Sequence, residues 1–162
     1  MDDGSALAPH LYPVLVVDDD PMIRRFMREV LDLEGFNAAM VAGGQECLDF
    51  LAAHREPHIV LLDLLMPHPD GWDVLRHLRS HPLLRRRLAV NIHTALRNFE
   101  VLPRKTYGSV LDGMLSMPFT IEQLLETVAK LEAKLSVRLA RRAARAVGGA
   151  PPDAPTDTPE LT

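Results

Sequence analysis

The chain has 162 residues, of which 47% are hydrophobic and 25% are charged, and its formal net charge at pH 7 is −4. This composition is close to that of an average folded domain and excludes a wholly disordered chain. The acidic balance argues against nucleic acid as a partner of the main body. The single cysteine, Cys47, excludes an internal disulfide and a cysteine-rich zinc site.

The sequence offers no signal for a membrane or for export. No apolar run approaches the ~20 residues that are needed to cross a bilayer. Residues 1–12 are acidic, lack the hydrophobic core of a signal peptide, and are expected to form a flexible lead-in. We therefore expect a cytoplasmic protein without a membrane partner.

The first periodic segment is predicted to be a strand followed by a helix. Residues 14–17 form the continuous apolar run VLVV, which is typical of a strand buried on both faces of a sheet. Three acids, Asp18, Asp19 and Asp20, end this run. Since Pro21 suits the first turn of a helix, Asp20 is expected to cap that helix.

The same alternation of strand and helix continues to about residue 135. Further strands are predicted at 37–41, 59–63, 88–92 and 113–117, with helical patterns between them and a last helix capped by Thr120. Pro103 interrupts the helix that is expected between the last two strands. Five strands interleaved with helices predict an α/β fold, a doubly wound parallel sheet with helices on both faces.

The segment after residue 135 differs in composition. Residues 136–147 are predicted to form a basic helical extension, and residues 148–162 a disordered, proline-rich acidic tail. The extension is interpreted as a solvated helix face. The alternative is a helix for dimerisation or for an acidic partner, because Leu131, Leu135 and Leu139 prolong its apolar stripe.

Polar side chains end three of the predicted strands. Asp18 and its two acidic neighbours follow the first strand, Asp63 ends the third and Thr94 follows the fourth. Because ligands of open α/β sheets bind at the carboxyl ends of the strands, these groups are expected to converge. Oxygen ligands without soft ones favour Mg²⁺ over zinc.

These residues resemble a known family. VLVVDDD, IVLLDLLMPHPDG, the pair Thr94-Ala95 and the pair Pro118-Phe119 are similar, in this order and spacing, to the receiver domain of bacterial response regulators. The resemblance covers about residues 13–135. It implies a CheY-like (flavodoxin-like) sheet with strand order 2-1-3-4-5 and an aspartate that takes a phosphoryl group from a sensor histidine kinase or phosphotransfer protein.

The resemblance also implies roles for individual residues. Asp63 corresponds to the phosphoacceptor. Asp18, Asp19, Asp63 and the backbone carbonyl of Leu65 correspond to the Mg²⁺ ligands, and Thr94 corresponds to the hydroxyl residue that contacts the phosphoryl group.

Two positions depart from the family. Met117 stands where the family has a lysine, and Met114 stands where it usually has an aromatic residue. Pro118 is expected to follow a cis peptide bond, as in the family's loop. The seven histidines are interpreted as surface or loop residues, with His93 at the rim beside Thr94.

The leading hypothesis is a single-domain response regulator that is not an enzyme and that signals through contacts with an unknown downstream protein. The alternative is a receiver-like module for protein interaction or homodimerisation that works without phosphorylation. Met117, Met114 and Pro103 favour this alternative. A haloacid-dehalogenase-type phosphatase is disfavoured, because Met22 stands where that chemistry needs a hydroxyl.

Overall fold

The computed structural model describes residues 9–95 and 105–148. Predictions for residues 1–8, for residues 96–104 around Pro103, and for the tail from residue 149 lie outside this part of the chain. The strands are β1 (Val14–Val17), β2 (Ala38–Val41), β3 (His58–Asp63), β4 (Leu88–Thr94) and β5 (Gly113–Ser116). The helices are α1 (Pro21–Leu33), α2 (Gly44–Ala53), α3 (Gly71–Ser80), α4 (Pro82–Arg85) and α5 (Ile121–Val147).

The five strands form one parallel sheet in the order β2-β1-β3-β4-β5, which confirms the predicted fold. The register aligns the carboxyl ends of the central strands. Val17 pairs with Leu62, and Asp63 pairs with His93. The residues that end β1, β3 and β4 therefore share one edge of the sheet.

Each face of the sheet has its own hydrophobic core. Leu15, Val60 and Val90 belong to a cluster with residues of α2 and α3, whereas Val14 and Ile59 belong to a cluster with residues of α1 and α5. Both sets of side chains are fully buried. This double burial explains why the central strands are continuous apolar runs rather than alternating ones.

Side-chain caps determine where the helices near the sheet edge begin. The Asp20 carboxylate accepts a hydrogen bond from the Met22 N–H at 2.8 Å, which confirms its predicted capping role. Asp70 and Thr120 begin α3 and α5 with reciprocal capping boxes. Each cap satisfies N–H groups that would otherwise have no partner in the first helical turn.

The structure differs from the predicted elements by more than one residue at the end of β4 and at the helix α4. β4 extends through Thr94, two residues beyond the predicted end. The short helix α4 begins at Pro82 and was not predicted, because four residues are too few to show a helical period. No helix within residues 9–95 and 105–148 is long and apolar enough to cross a membrane.

The last helix is continuous from Ile121 to Val147 and includes the basic segment. Leu131 and Leu135 are buried in the core of the domain, and Leu139 packs against its edge. The Arg138 guanidinium donates to the carbonyl oxygen of Leu88 at 2.5 Å and also contacts the Asp112 carboxylate. Side chains of α5 beyond residue 135 are therefore attached to the sheet.

Candidate functional site

Three carboxylates meet at the carboxyl edge of the sheet. Asp18, Asp19 and Asp63 each offer an oxygen, and these oxygens lie within 4.8 Å of one another. Asp18 and Asp63 are buried, while Asp19 is exposed to solvent. The parallel register produces this meeting, because residues that are far apart in sequence end neighbouring strands.

Asp18 is held by hydrogen bonds on both of its carboxylate oxygens. Oδ1 accepts from the backbone N–H of Asp20 at 2.8 Å, and Oδ2 accepts from Nε2 of His93 at 2.8 Å. The Asp18 carbonyl oxygen accepts from the Arg24 guanidinium at 2.7 Å. Both the side chain and the backbone of Asp18 are therefore fixed before any ligand binds.

Asp63 is buried beside other acids. Burial raises the pKa of Asp63 to about 6. The hydrogen bond from the Leu65 N–H acts in the opposite direction and lowers this pKa, but its effect is smaller. The Asp18 carboxylate adds a further upward effect. At pH 7 the carboxyl is still mainly ionised, so this site holds a concentrated negative charge.

A glycine allows α3 to begin directly against Asp63. A Cβ atom on Gly71 would lie 2.2 Å from the backbone oxygen of Asp63 and 2.6 Å from the Cα atom of Leu64. No side chain can occupy that space without moving the backbone. The Asp-Gly pair at 70–71 thus combines a helix cap with a close approach to the end of β3.

The donor set suits a small divalent cation. In the described part of the chain, no lysine or arginine forms an ion pair with Asp18, Asp19 or Asp63. Carboxylates that no lysine or arginine of the described residues occupies are hard oxygen ligands, which Mg²⁺ prefers. The side chains present therefore fit the predicted ion.

The other predicted positions surround this cluster. Thr94 is buried at the end of β4, and its carbonyl oxygen accepts from the Met117 N–H at 3.0 Å. The Met117–Pro118 peptide bond is cis, as expected. Met114 packs against the core formed with α2 and α3. Thioether side chains therefore occupy both positions at which the sequence differs from the family pattern, one in β5 and one in the loop that follows it.

The interpretation of the histidines was wrong for His58 and His93. Both side chains are buried within strands, and His93 bonds directly to Asp18. The signal was present in the sequence, since a polar residue inside a buried apolar strand needs a hydrogen-bond partner. Sequence position alone did not identify that partner, because Asp18 is 75 residues away.

A second group of possible metal ligands comprises His68, Asp70 and Asp73. These carboxylates already act within the first turn of α3. Asp70 and Asp73 form its capping box, and Asp73 also pairs with Arg76 and His68. The existing contacts account for this group as a helix start.

Solved structures of receiver domains have a similar fold. A CheY-like receiver domain protein from Methanospirillum hungatei is 26% identical, with a TM-score of 0.64 over 79% of this chain and 97% of that one. The response regulator TrrA from Thermotoga maritima, solved in complex with Mg²⁺-BeF, is 27% identical, with a TM-score of 0.62 over 75% of this chain and 99% of that one.

Curated sequences give the same result. The response regulator MprA of Mycolicibacterium vanbaalenii is 33% identical over 124 residues, which are 73% of this chain and 49% of MprA. The chain thus spans about half the length of the curated relatives it matches. Residues 14–129 match the sequence model of the response regulator receiver domain. With the parallel sheet and the acidic edge in place, this match shows that the chain belongs to the response regulator receiver domain family.

Proposed function

We propose that this receiver domain accepts a phosphoryl group on Asp63 from a histidine kinase or a phosphotransfer protein. The observation that carries the proposal is the cluster of Asp18, Asp19 and Asp63 at the carboxyl edge of the sheet. Receiver domains act in two-component signalling, and they are in general signalling domains rather than enzymes. Here the chemical step is a modification of the protein itself.

Asp63 is the nucleophile of the proposed reaction. One of its carboxylate oxygens forms a bond to phosphorus, while the phosphorus–nitrogen bond of the donor phosphohistidine breaks. The electron pair of that bond stays on the imidazole nitrogen, which takes up a proton from solvent, and neutral histidine leaves. With a pKa of about 6, the Asp63 carboxyl is largely ionised at neutral pH and able to attack. The Leu65 N–H, 3.2 Å from Oδ1, orients it.

Asp18, Asp19, Asp63 and the backbone carbonyl of Leu65 would hold the metal ion. Mg²⁺ bound there neutralises negative charge on the phosphoryl oxygens. The Mg²⁺-BeF complex of TrrA supports this assignment by similarity. Because phosphoryl transfer depends mainly on positioning and charge, a prearranged acidic cluster supplies most of what the reaction requires.

Thr94 is proposed to contact the transferred phosphoryl group through its hydroxyl. Thr94 lies at the end of β4, paired with Ser116 at the end of β5. A movement of Thr94 on phosphorylation would therefore be transmitted toward Met117 and Met114. Neither methionine side chain can donate a hydrogen bond or carries a positive charge. The domain is therefore proposed to take up phosphate slowly and to signal through contact with a downstream protein.

Intact-mass spectrometry tests the phosphoacceptor. The protein is incubated with Mg²⁺ and acetyl phosphate, and the expected result is a species heavier by one phosphoryl group. Asp63→Asn should remove this species, whereas Asp20→Asn should retain it, because an asparagine side chain also caps a helix well. A label that persists in Asp63→Asn, or a wild-type protein that no phosphodonor labels, would contradict the proposal.

A further inference from the structure

We propose that His93 is a positioning residue for the acidic site, one whose Nε2–H fixes Asp18 for cation binding. His93 lies in β4, directly before Thr94, and its side chain is fully buried. Its Nε2 atom lies 2.8 Å from Oδ2 of Asp18. This inference rests on the proposed function, since it concerns the same site.

The contact with Asp18 is the one hydrogen bond of the His93 ring within residues 9–95 and 105–148. Nδ1 is buried and has no hydrogen-bond partner there. The ring lies nearly perpendicular to that of Phe119, with 6.5 Å between ring centroids and 83° between planes. The ring is thus held by packing and aimed at Asp18 by a single polar contact.

The bond matters because the Arg24 guanidinium reaches only the backbone carbonyl of Asp18 and leaves its carboxylate to other donors. Its two oxygens are held by the Asp20 N–H and by Nε2 of His93, and no lysine or arginine of the described ranges pairs with it. The side chain of Met117, where the resemblance leads one to expect a lysine, offers no hydrogen-bond donor. A partner in the outer shell of a carboxylate ligand orients it and prepares it for the metal.

Removing the donor has a defined consequence. Without Nε2–H, Oδ2 of Asp18 would be buried with no donor, and the side chain could turn away from Asp19 and Asp63. The loss of such outer-shell partners typically lowers metal affinity by ~10–100-fold. Loss of this hydrogen bond should leave the strand order of the sheet unchanged, because β4 pairs with β3 through its backbone.

Isothermal titration calorimetry with Mg²⁺ alone, at one fixed pH, tests the inference on three proteins. His93→Leu keeps the buried volume and removes the donor, and His93→Gln keeps an amide N–H at about the same reach. We expect the Kd for Mg²⁺ to rise by ~10–100-fold in His93→Leu and to stay within a few-fold of wild type in His93→Gln. Should His93→Leu not fold, His93→Asn replaces it, because the asparagine side chain is one bond shorter than glutamine and its amide cannot reach Oδ2 of Asp18.

The inference would be overturned by an unchanged Kd in His93→Leu, by an equal loss in both variants, or by a wild-type protein that binds no Mg²⁺. A fall in melting temperature without a change in Kd would show a packing role and would overturn it as well. The phosphorylation assay separates the two proposals. If the Kd for Mg²⁺ depends on the His93 donor but wild type is never labelled on Asp63, only the proposed function is contradicted.

Discussion

At the scale of a single residue, the buried carboxyl of Asp63 makes the stability of the protein depend on pH. Its pKa of about 6 lies above the ordinary value of 3.8, chiefly because the group is buried. The folded protein therefore binds this proton more tightly than the unfolded chain does. By linkage, the contribution of Asp63 to the free energy of unfolding decreases as the pH rises from about 4 to about 6.

Replacing Asp63 should consequently stabilise the protein when no metal is present. In EDTA at about pH 7.5, Asp63→Asn is expected to melt at a higher temperature than wild type, and the difference should shrink toward about pH 4.5. Thermal unfolding followed by circular dichroism measures this. Asp32→Asn, an exposed change on α1, serves as the control and should show no such trend. Equal melting temperatures of Asp63→Asn and wild type at both pH values would contradict the assigned burial effect.

The side chain of Met117 should affect the rate at which the protein is phosphorylated. A thioether cannot stabilise the charge that develops on the phosphoryl oxygens, whereas one preorganised electrostatic partner typically contributes ~10²–10³ in rate. Met117→Lys is expected to accelerate labelling by acetyl phosphate by up to ~10²–10³-fold. A time course of intact mass measures the rate. Met117→Leu is the matched control and should label at the wild-type rate. A lysine variant that labels no faster than wild type would refute the role assigned to this position.

At the scale of elements, the attachment of α5 depends on one buried acid. The Asp112 side chain, 7% exposed, pairs with Arg85 at 2.8 Å and also with Arg138, and it accepts the Val90 N–H at 2.9 Å. Lys134 donates to the Asp112 carbonyl oxygen at 2.5 Å. This network joins α4, the start of β5 and the middle of α5 at the end of the sheet opposite to the acidic cluster.

Asp112→Ala should therefore destabilise the domain strongly. It leaves the Arg85 guanidinium buried without its partner, and breaking a buried pair costs about 3–5 kcal/mol. Urea unfolding measures the change. Arg141→Ala, an exposed change on the same helix, should stay within about 0.5 kcal/mol of wild type. Similar effects of the two substitutions would show that the network contributes little.

At the scale of the whole molecule, the proposed metal site would link Mg²⁺ binding to the stability of the fold. Asp18 and Asp63 belong to the ends of central strands, so an ion bound there stabilises the folded state alone. Mass action then predicts about 2.7 kcal/mol of added stability at a Mg²⁺ concentration of about 100 times the Kd.

The melting temperature of wild type should accordingly rise with Mg²⁺ concentration. Asp19→Asn is expected to lose most of this rise, because it removes one carboxylate of the cluster, whereas Asp20→Asn should keep it. Differential scanning fluorimetry over a series of Mg²⁺ concentrations, at constant ionic strength, makes the comparison. A rise of the same size in Asp19→Asn and wild type would indicate a general salt effect rather than a site.

The local sequence determined most of the architecture. Apolar runs such as VLVV at 14–17 predict buried strands because both faces of a parallel sheet are covered, and the acids at Asp18 and Asp63 end such runs at the carboxyl edge of the sheet. The caps at Asp20 and Thr120 were predictable for the same local reason, since each contacts N–H groups within three residues. These features depend on short segments, so the order of residues is sufficient to predict them.

Only the tertiary structure decided the contacts between distant segments. His93 was expected at the rim, yet the register of β3 and β4 and the place of β1 in the sheet put its ring inside, on Asp18. Likewise, the basic charges of α5 suggested a solvated face, but Arg138 meets Asp112 and the start of β4. Such pairs depend on strand order and helix packing, and no local pattern specifies which buried polar group will meet which partner.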